Sequence, residues 1–159
     1  MTLASDLLDA AEAKGLMIAT AESCTGGMVS AAITDVAGSS AVFDRGFVTY
    51  TNAAKTRMLG VAAATLDAYG AVSEEVAAEM ATGARDNSDA DIAVAITGIA
   101  GPGGSEFKPE GRVCFGLVTP DGVTTETVDF GPLGRNVVRK KATAYALTLL
   151  SRAVSQTSK

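Results

Sequence analysis

Three short stretches of this sequence combine polar side chains and glycines in ways that suit hydrolytic chemistry. Gly38, Ser39 and Ser40 are followed by the run YTNAAK, which starts at Tyr50 and ends at Lys55. A serine hydroxyl attacks a carbonyl carbon only once a base removes its proton, and Lys55 and Tyr50 are the bases available there. TGIAGPGGSE (Thr97–Glu106) is a glycine-rich loop that directly follows an apolar run. Gly98, Gly101, Gly103, Gly104 and Ser105 in it allow backbone N–H groups to approach an anion closely. Its spacing fits neither a Walker loop nor G-x-G-x-x-G, and Pro102 removes a donor. AESCTGG (Ala21–Gly27) has the same form, with small polar residues between a strand end and a helix start. Ser23 and Thr25 singly suit capping of that helix, but with Glu22 and the glycines they are also candidates for a second, substrate-binding wall of one pocket, as are Gly38 and Ser39.

Composition narrows the chemistry. Histidine is absent, which removes Ser-His-Asp and Cys-His mechanisms and most zinc sites. Cys24 and Cys114 form no CxxC pair, so no metal or redox site is expected, and both should be reduced, buried and small. Without an imidazole to lower its pKa, Cys24 is not expected to act as a nucleophile. The formal net charge of −5 leaves no basic stripe for nucleic acid; Arg139-Lys140-Lys141 reads as a solvated helix turn. No apolar run reaches the ~20 residues of a membrane helix. The N-terminus mixes acids with apolar residues and lacks a basic segment before a hydrophobic stretch, so a cytoplasmic protein is expected. Any hydrolytic chemistry must therefore use Ser, Thr, Lys, Tyr, Asp or Glu, with no cofactor or metal expected.

The elements that must position these residues are legible in outline. Leu3–Lys14 has helical apolar spacing and stops at Gly15. Leu16–Ala21 reads as a buried strand, and Thr25 or a neighbour caps a helix reaching about Thr34. Phe43–Tyr50 reads as a strand that Gly46 could break, and Thr51 or Asn52 caps the helix carrying Lys55. A turn near Ala62–Tyr69 precedes a helix over Ser73–Ala84, whose Glu74 and Glu75 favour the dipole. Asp91–Ile96 is a buried strand feeding the glycine loop. Val113–Thr119 and Val123–Phe130 flank Pro120-Asp121-Gly122 as a hairpin, and Arg135–Ala153 is a long amphipathic helix. One domain over residues 1–159 follows, a three-layer α/β/α fold with a mixed sheet.

This outline carries a geometric difficulty. A straight strand from Ala41 to Tyr50 would hold Ser40 and Tyr50 roughly 30 Å apart at ~3.3 Å per residue. Either the chain turns back near Arg45-Gly46, or a neighbouring subunit completes the site, which makes a homodimer the expectation.

Taken together, AESCTGG, DVAGSSAVFDRGFVTYTNAAK, GAVSEEVAAEMA, ITGIAGPGGSEFKPEGRV and ATAYAL resemble, in order and over nearly the whole chain, the CinA C-terminal-domain family. Its enzymatic members are nicotinamide-nucleotide amidases. The resemblance implies metal-independent hydrolysis of the carboxamide of nicotinamide mononucleotide to nicotinate mononucleotide and ammonia. It implies a serine nucleophile in the GSS motif, matched by Ser40, supported by Tyr50 and Lys55, with Thr97 opening the TGIAGP motif. It also implies an arginine near the start of the last helix, matched by Arg135 or Arg139.

On this reading Ser40 attacks after Lys55, directly or through Tyr50, takes its proton. The oxyanion is held by backbone N–H groups or the Thr97 hydroxyl. The substrate's phosphate needs donors, for which Gly101–Ser105 N–H groups with Arg45, Arg135 or Arg139 are candidates; each arginine singly also suits a surface salt bridge. A lysine base must be neutral, so its pKa must fall from about 10.4 and activity should rise with pH from neutrality. The alternatives are a non-catalytic nucleotide-binding module that does not need Ser40, Tyr50 and Lys55 together, and an amidase for another small amide.

Overall fold

A computed structural model describes residues 2–105 and 107–158. Glu106, which ends the glycine-rich motif, lies outside the described residues.

The chain alternates helices and strands, then closes with a hairpin and a long helix. In order these are α1 (Leu3–Lys14), β1 (Ile18–Glu22), α2 (Met28–Thr34), β2 (Phe43–Val48), α3 (Asn52–Leu59), α4 (Ala63–Tyr69), α5 (Glu74–Asp86), β3 (Ile92–Gly98), β4 (Arg112–Thr119), β5 (Gly122–Asp129) and α6 (Arg135–Gln156). The sheet order is β2-β1-β3-β4-β5. β1 pairs parallel with β2 and β3, while β4 and β5 join antiparallel. The expected mixed sheet in three layers is what the protein forms.

Residue size decides which helix lies on which face. In β3, Ile92, Val94 and Ile96 pack with α1, α2 and α6, whereas Ala93 and Ala95 face α3, α4 and α5 with Ala19 and Ala21. The small side admits α5 closely, and its Val76 and Met80 are fully buried there. Such burial stabilises by about 1.5–3 kcal/mol per large side chain. Polar links then fix the layers. Lys14 Nζ donates to the carbonyls of Val154 at 2.6 Å and Thr157 at 2.8 Å, closing the end of α6 from the end of α1. The hydroxyls of Thr125 and Thr127 donate to Glu74 at the start of α5, both at 2.7 Å, and hold its carboxyl below the ordinary value. A carboxyl depressed in the folded state stabilises at neutral pH, and that contribution is lost as pH falls through the folded value.

The chain leaves β1 through α2 on one face and returns to β3 through α3, α4 and α5 on the other. The crevice beyond the carboxyl ends of β1 and β3 is therefore a topological switch point, the usual ligand position in such sheets. Because β4 and β5 are antiparallel, the β3–β4 loop and the lead into α6 reach the same edge.

The boundaries differ from expectation in instructive places. β2 is unbroken: Gly46 pairs with Thr20, and a Cβ there would lie 2.6 Å from both Thr20 Oγ1 and Ser30 Oγ. Glycine at that position lets α2 approach the strand and does not bend it. Ala62–Tyr69 gives a helix, α4, in place of a turn. Neither Ser23 nor Thr25 caps α2, whose N-cap is Gly27 without a side-chain bond.

Candidate active site

Ser23 follows directly on β1, and its N–H donates to the Ile96 carbonyl of β3 at 2.9 Å, which seats the residue at the switch point. Lys55 projects from α3, whose start is fixed by the Thr51 hydroxyl accepting the Ala54 N–H at 3.1 Å. Its Nζ donates to Ser23 Oγ at 3.0 Å and to the Thr49 carbonyl at 3.0 Å. Lys55 is 1% exposed and Ser23 8%. A buried lysine beside a serine hydroxyl is the arrangement that nucleophile activation needs when histidine is missing.

A cavity of about 280 Å³ is lined by Tyr50, Ala71, Gly98 and Arg135 among others, but by neither Ser23 nor Lys55. It is linked to the pair through Tyr50, which follows Thr49, and through Gly98, which packs against Cys24. Gly101, Gly103, Gly104 and Ser105 complete the glycine-rich wall. Arg135 Nη1 donates to the Gly101 carbonyl at 2.7 Å and Nη2 to Tyr50 Oη at 2.5 Å. The loop's anion cradle is partly filled by the chain itself. Gly103 N–H donates to Glu110 Oε1 at 2.7 Å, and Ser105 N–H to the Lys108 carbonyl at 3.0 Å.

Several sequence-based assignments change. Ser40, with Gly38 and Ser39, lies in the 3₁₀ turn Ser39–Ala41 before β2, and Tyr50 lies beyond its other end. The six-residue strand alone separates them by roughly 16 Å at ~3.3 Å per residue, and β2 runs parallel to β1 from Phe43 to Val48 with a single irregularity at Asp44 and no reversal. Ser40 is therefore at the opposite edge of the sheet from Lys55, and the chain does not turn back. Arg45 belongs to a surface cluster near that opposite edge, donating to Asp44, the Asn87 carbonyl and Asp89. The Thr97 hydroxyl donates to the Ala71 carbonyl at 2.9 Å, so it ties the α4–α5 link to β3 and has no proton left for an oxyanion. Arg139 donates to the Cys24 and Thr25 carbonyls at 3.0 and 3.4 Å; it clamps the turn after Ser23.

Glu22 does not line the pocket. Fully buried, it accepts N–H bonds from Gly27, Val29 and Ser30 at 2.9–3.2 Å and the Ser30 hydroxyl at 2.7 Å. It supplies the cap that Gly27 cannot, from the end of the neighbouring strand. An acid before a small-residue turn, with no Ser, Thr or Asp at the helix start, was the available signal. Thr49 was missed altogether. Thr49 and Thr25 are fully buried, and neither hydroxyl has a protein partner among the described residues.

Burial pushes the Cys24 thiol up to about 12, against lowering by its own backbone N–H and by Arg139. It is a packing residue under the turn. Iodoacetamide at neutral pH should leave Cys24 unlabelled in folded protein and label it after denaturation, as read by peptide mass spectrometry. Labelling of the folded enzyme with loss of turnover would reinstate the thiol as a reactive group.

Known proteins place this architecture. The family model described as the CinA C-terminal domain matches residues 1–154. A protein of Escherichia coli K12 named nicotinamide-nucleotide amidohydrolase PncC is 53% identical over 153 residues, covering 94% of this chain and 92% of its own. Among solved structures, a competence/damage-inducible protein of Agrobacterium tumefaciens superposes with a TM-score of 0.92 at 49% identity, covering 97% of this chain and 94% of its own. A competence damage-inducible protein A from Klebsiella pneumoniae reaches a TM-score of 0.94 at 38% identity, covering 98% and 97%. With the fold, the order of its motifs and nearly its full length matched, the chain belongs to the CinA C-terminal domain family.

Proposed function

We propose that this protein is an amidohydrolase that converts nicotinamide mononucleotide to nicotinate mononucleotide and ammonia, with Ser23 as nucleophile and Lys55 as its base. The observation that carries the mechanism is the buried 3.0 Å contact between Lys55 Nζ and Ser23 Oγ, at the same end of the sheet as the cavity that Tyr50 and Gly98 line. The activity named for the E. coli relative supports the substrate.

In the neutral form Lys55 accepts the Ser23 proton as Oγ attacks the carboxamide carbon. The tetrahedral adduct collapses when the same ammonium returns the proton to the leaving nitrogen, releasing ammonia and leaving an ester on Ser23. Water, deprotonated by Lys55, then attacks the ester; the C–O bond to Ser23 breaks, and the acid and free serine are restored. Tyr50, 57% exposed at the mouth, offers its ring to the pyridinium. Arg135 has further N–H donors beyond the bonds it makes to Gly101 and Tyr50, and these suit the phosphate.

The dimer expectation rested on bringing Ser40 to Tyr50; with Ser23 at the lysine, one chain holds the catalytic pair. The cytoplasm remains the compartment we assign, given two free buried cysteines and a soluble metabolite as substrate. Among the described residues no helix is long and apolar enough to cross a membrane, and no His/Cys/Asp/Glu group could hold a metal ion.

Incubation with nicotinamide mononucleotide should release ammonia and nicotinate mononucleotide in equal amounts, unchanged by a chelator. Tight binding of the nucleotide without any product would instead favour a binding module.

A further inference from the structure

Glu110 takes no part in the chemistry above, yet its carboxylate joins the pieces of backbone that frame the pocket. Oε1 accepts the Gly103 N–H at 2.7 Å, and Oε2 accepts the Gly134 N–H at 3.2 Å. Gly103 belongs to the glycine loop, and Gly134 immediately precedes α6 and Arg135. Gly101 packs directly against the bridge: a Cβ there would lie 2.5 Å from Glu110 Cδ, and its φ of 94° already excludes most side chains. The Gly101 carbonyl in turn receives Arg135 Nη1 at 2.7 Å. The result is a closed ring from Glu110 through Gly103 to Gly101, on to Arg135 and Gly134, and back to Glu110.

We infer that Glu110 is a positioning residue for nucleotide binding. Its carboxylate clasps the glycine loop to the start of α6 and so holds Arg135 where the substrate's phosphate arrives. The inference rests on the proposed nucleotide substrate.

Charge and geometry make opposite forecasts here, which renders the clasp testable. As a bare negative charge near a phosphate site, Glu110 would weaken binding, and its neutralisation would tighten it. As a clasp it strengthens binding. Glu110→Gln keeps one acceptor but turns an amide N–H₂ toward an N–H donor; Glu110→Asp keeps the charge on a stem too short to span both amides.

Affinity is measured by calorimetry in a Ser23→Ala background, where the ligand stays intact. Both variants should weaken nicotinamide mononucleotide by about fivefold to tenfold, the net scale of one ordinary hydrogen bond. Nicotinamide riboside, which lacks the phosphate, should bind each variant and the parent equally. In otherwise unaltered enzyme the same variants should raise KM and leave kcat within about twofold, a uniform-binding loss. Unchanged or tighter nucleotide binding in both variants, or equal losses for the riboside, would overturn the clasp. A parent that binds no nucleotide would defeat the substrate assignment first. Faster amide exchange at Gly103 and Gly134 in the variants, with near-ultraviolet circular dichroism retained, separates loss of the clasp from loss of the fold.

Discussion

Replacing Ser23 with alanine is expected to lower kcat for nicotinamide mononucleotide by at least about 10³-fold, some 4 kcal/mol of transition-state stabilisation. The ground for so large an effect is chemical. Without Oγ there is no covalent path, and Lys55 retains only a carbonyl among its contacts given above. Nucleotide binding should persist, because Arg135, Tyr50 and the glycine wall stand on other elements. Ser40→Ala is the matched control. Its residue sits before β2, at the far edge of the sheet, and turnover should stay within about threefold of the parent, as for surface changes away from a site. If instead Ser40→Ala is the inactive variant, the catalytic serine comes from the far edge, and only a second copy of the chain could deliver it.

The second large effect concerns stability. Glu22→Gln should cost about 3 kcal/mol, because the buried carboxylate accepts N–H bonds from Gly27, Val29 and Ser30 as well as the Ser30 hydroxyl. The amide would aim N–H₂ at donors it cannot satisfy. For a chain of this length that loss lowers the thermal midpoint by roughly 6–12 °C, read by calorimetry or circular dichroism. The turn that holds Ser23 hangs on the same contacts, so residual folded protein should also turn over more slowly. A midpoint unmoved by Glu22→Gln would mean that α2 is held by its packing alone, through Val29 and Ile33.

How much of this was legible follows from what sequence patterns encode. The short apolar run of β3, the Gly15 stop and the Ser73 start with Glu74 and Glu75 are local signals, and they placed a buried strand and two helices; the assignment of helices to faces came only with the packing. The glycine loop was readable as a pocket wall because it follows a buried strand. The proposed catalytic pair was not, since Ser23 and Lys55 are 32 residues apart and meet only because β1 lies beside β2 and Lys55 reaches from α3 to the residues that follow both strands. Spacing alone offers Ser23 as a helix cap or a substrate-binding residue, and the motif resemblance points to Ser40 as the nucleophile. The strand-length argument exposes the conflict between Ser40 and Tyr50; the structure keeps Ser40 away from Lys55 and places Ser23 beside it, which is the ground for the serine proposed above. Glu22 and Glu110 were opaque for a related reason. Each acts by accepting backbone N–H bonds, which any residue type can donate, so no pattern of side chains announces it.

The central claim is that Ser23, activated by Lys55, carries the acyl group. Acid quenching during turnover of nicotinamide mononucleotide, followed by peptide mass spectrometry, tests it directly. The predicted result is an acyl ester on the peptide containing Ser23, absent from the Ser23→Ala protein. An ester on the peptide containing Ser40, or full turnover by Ser23→Ala, would contradict it.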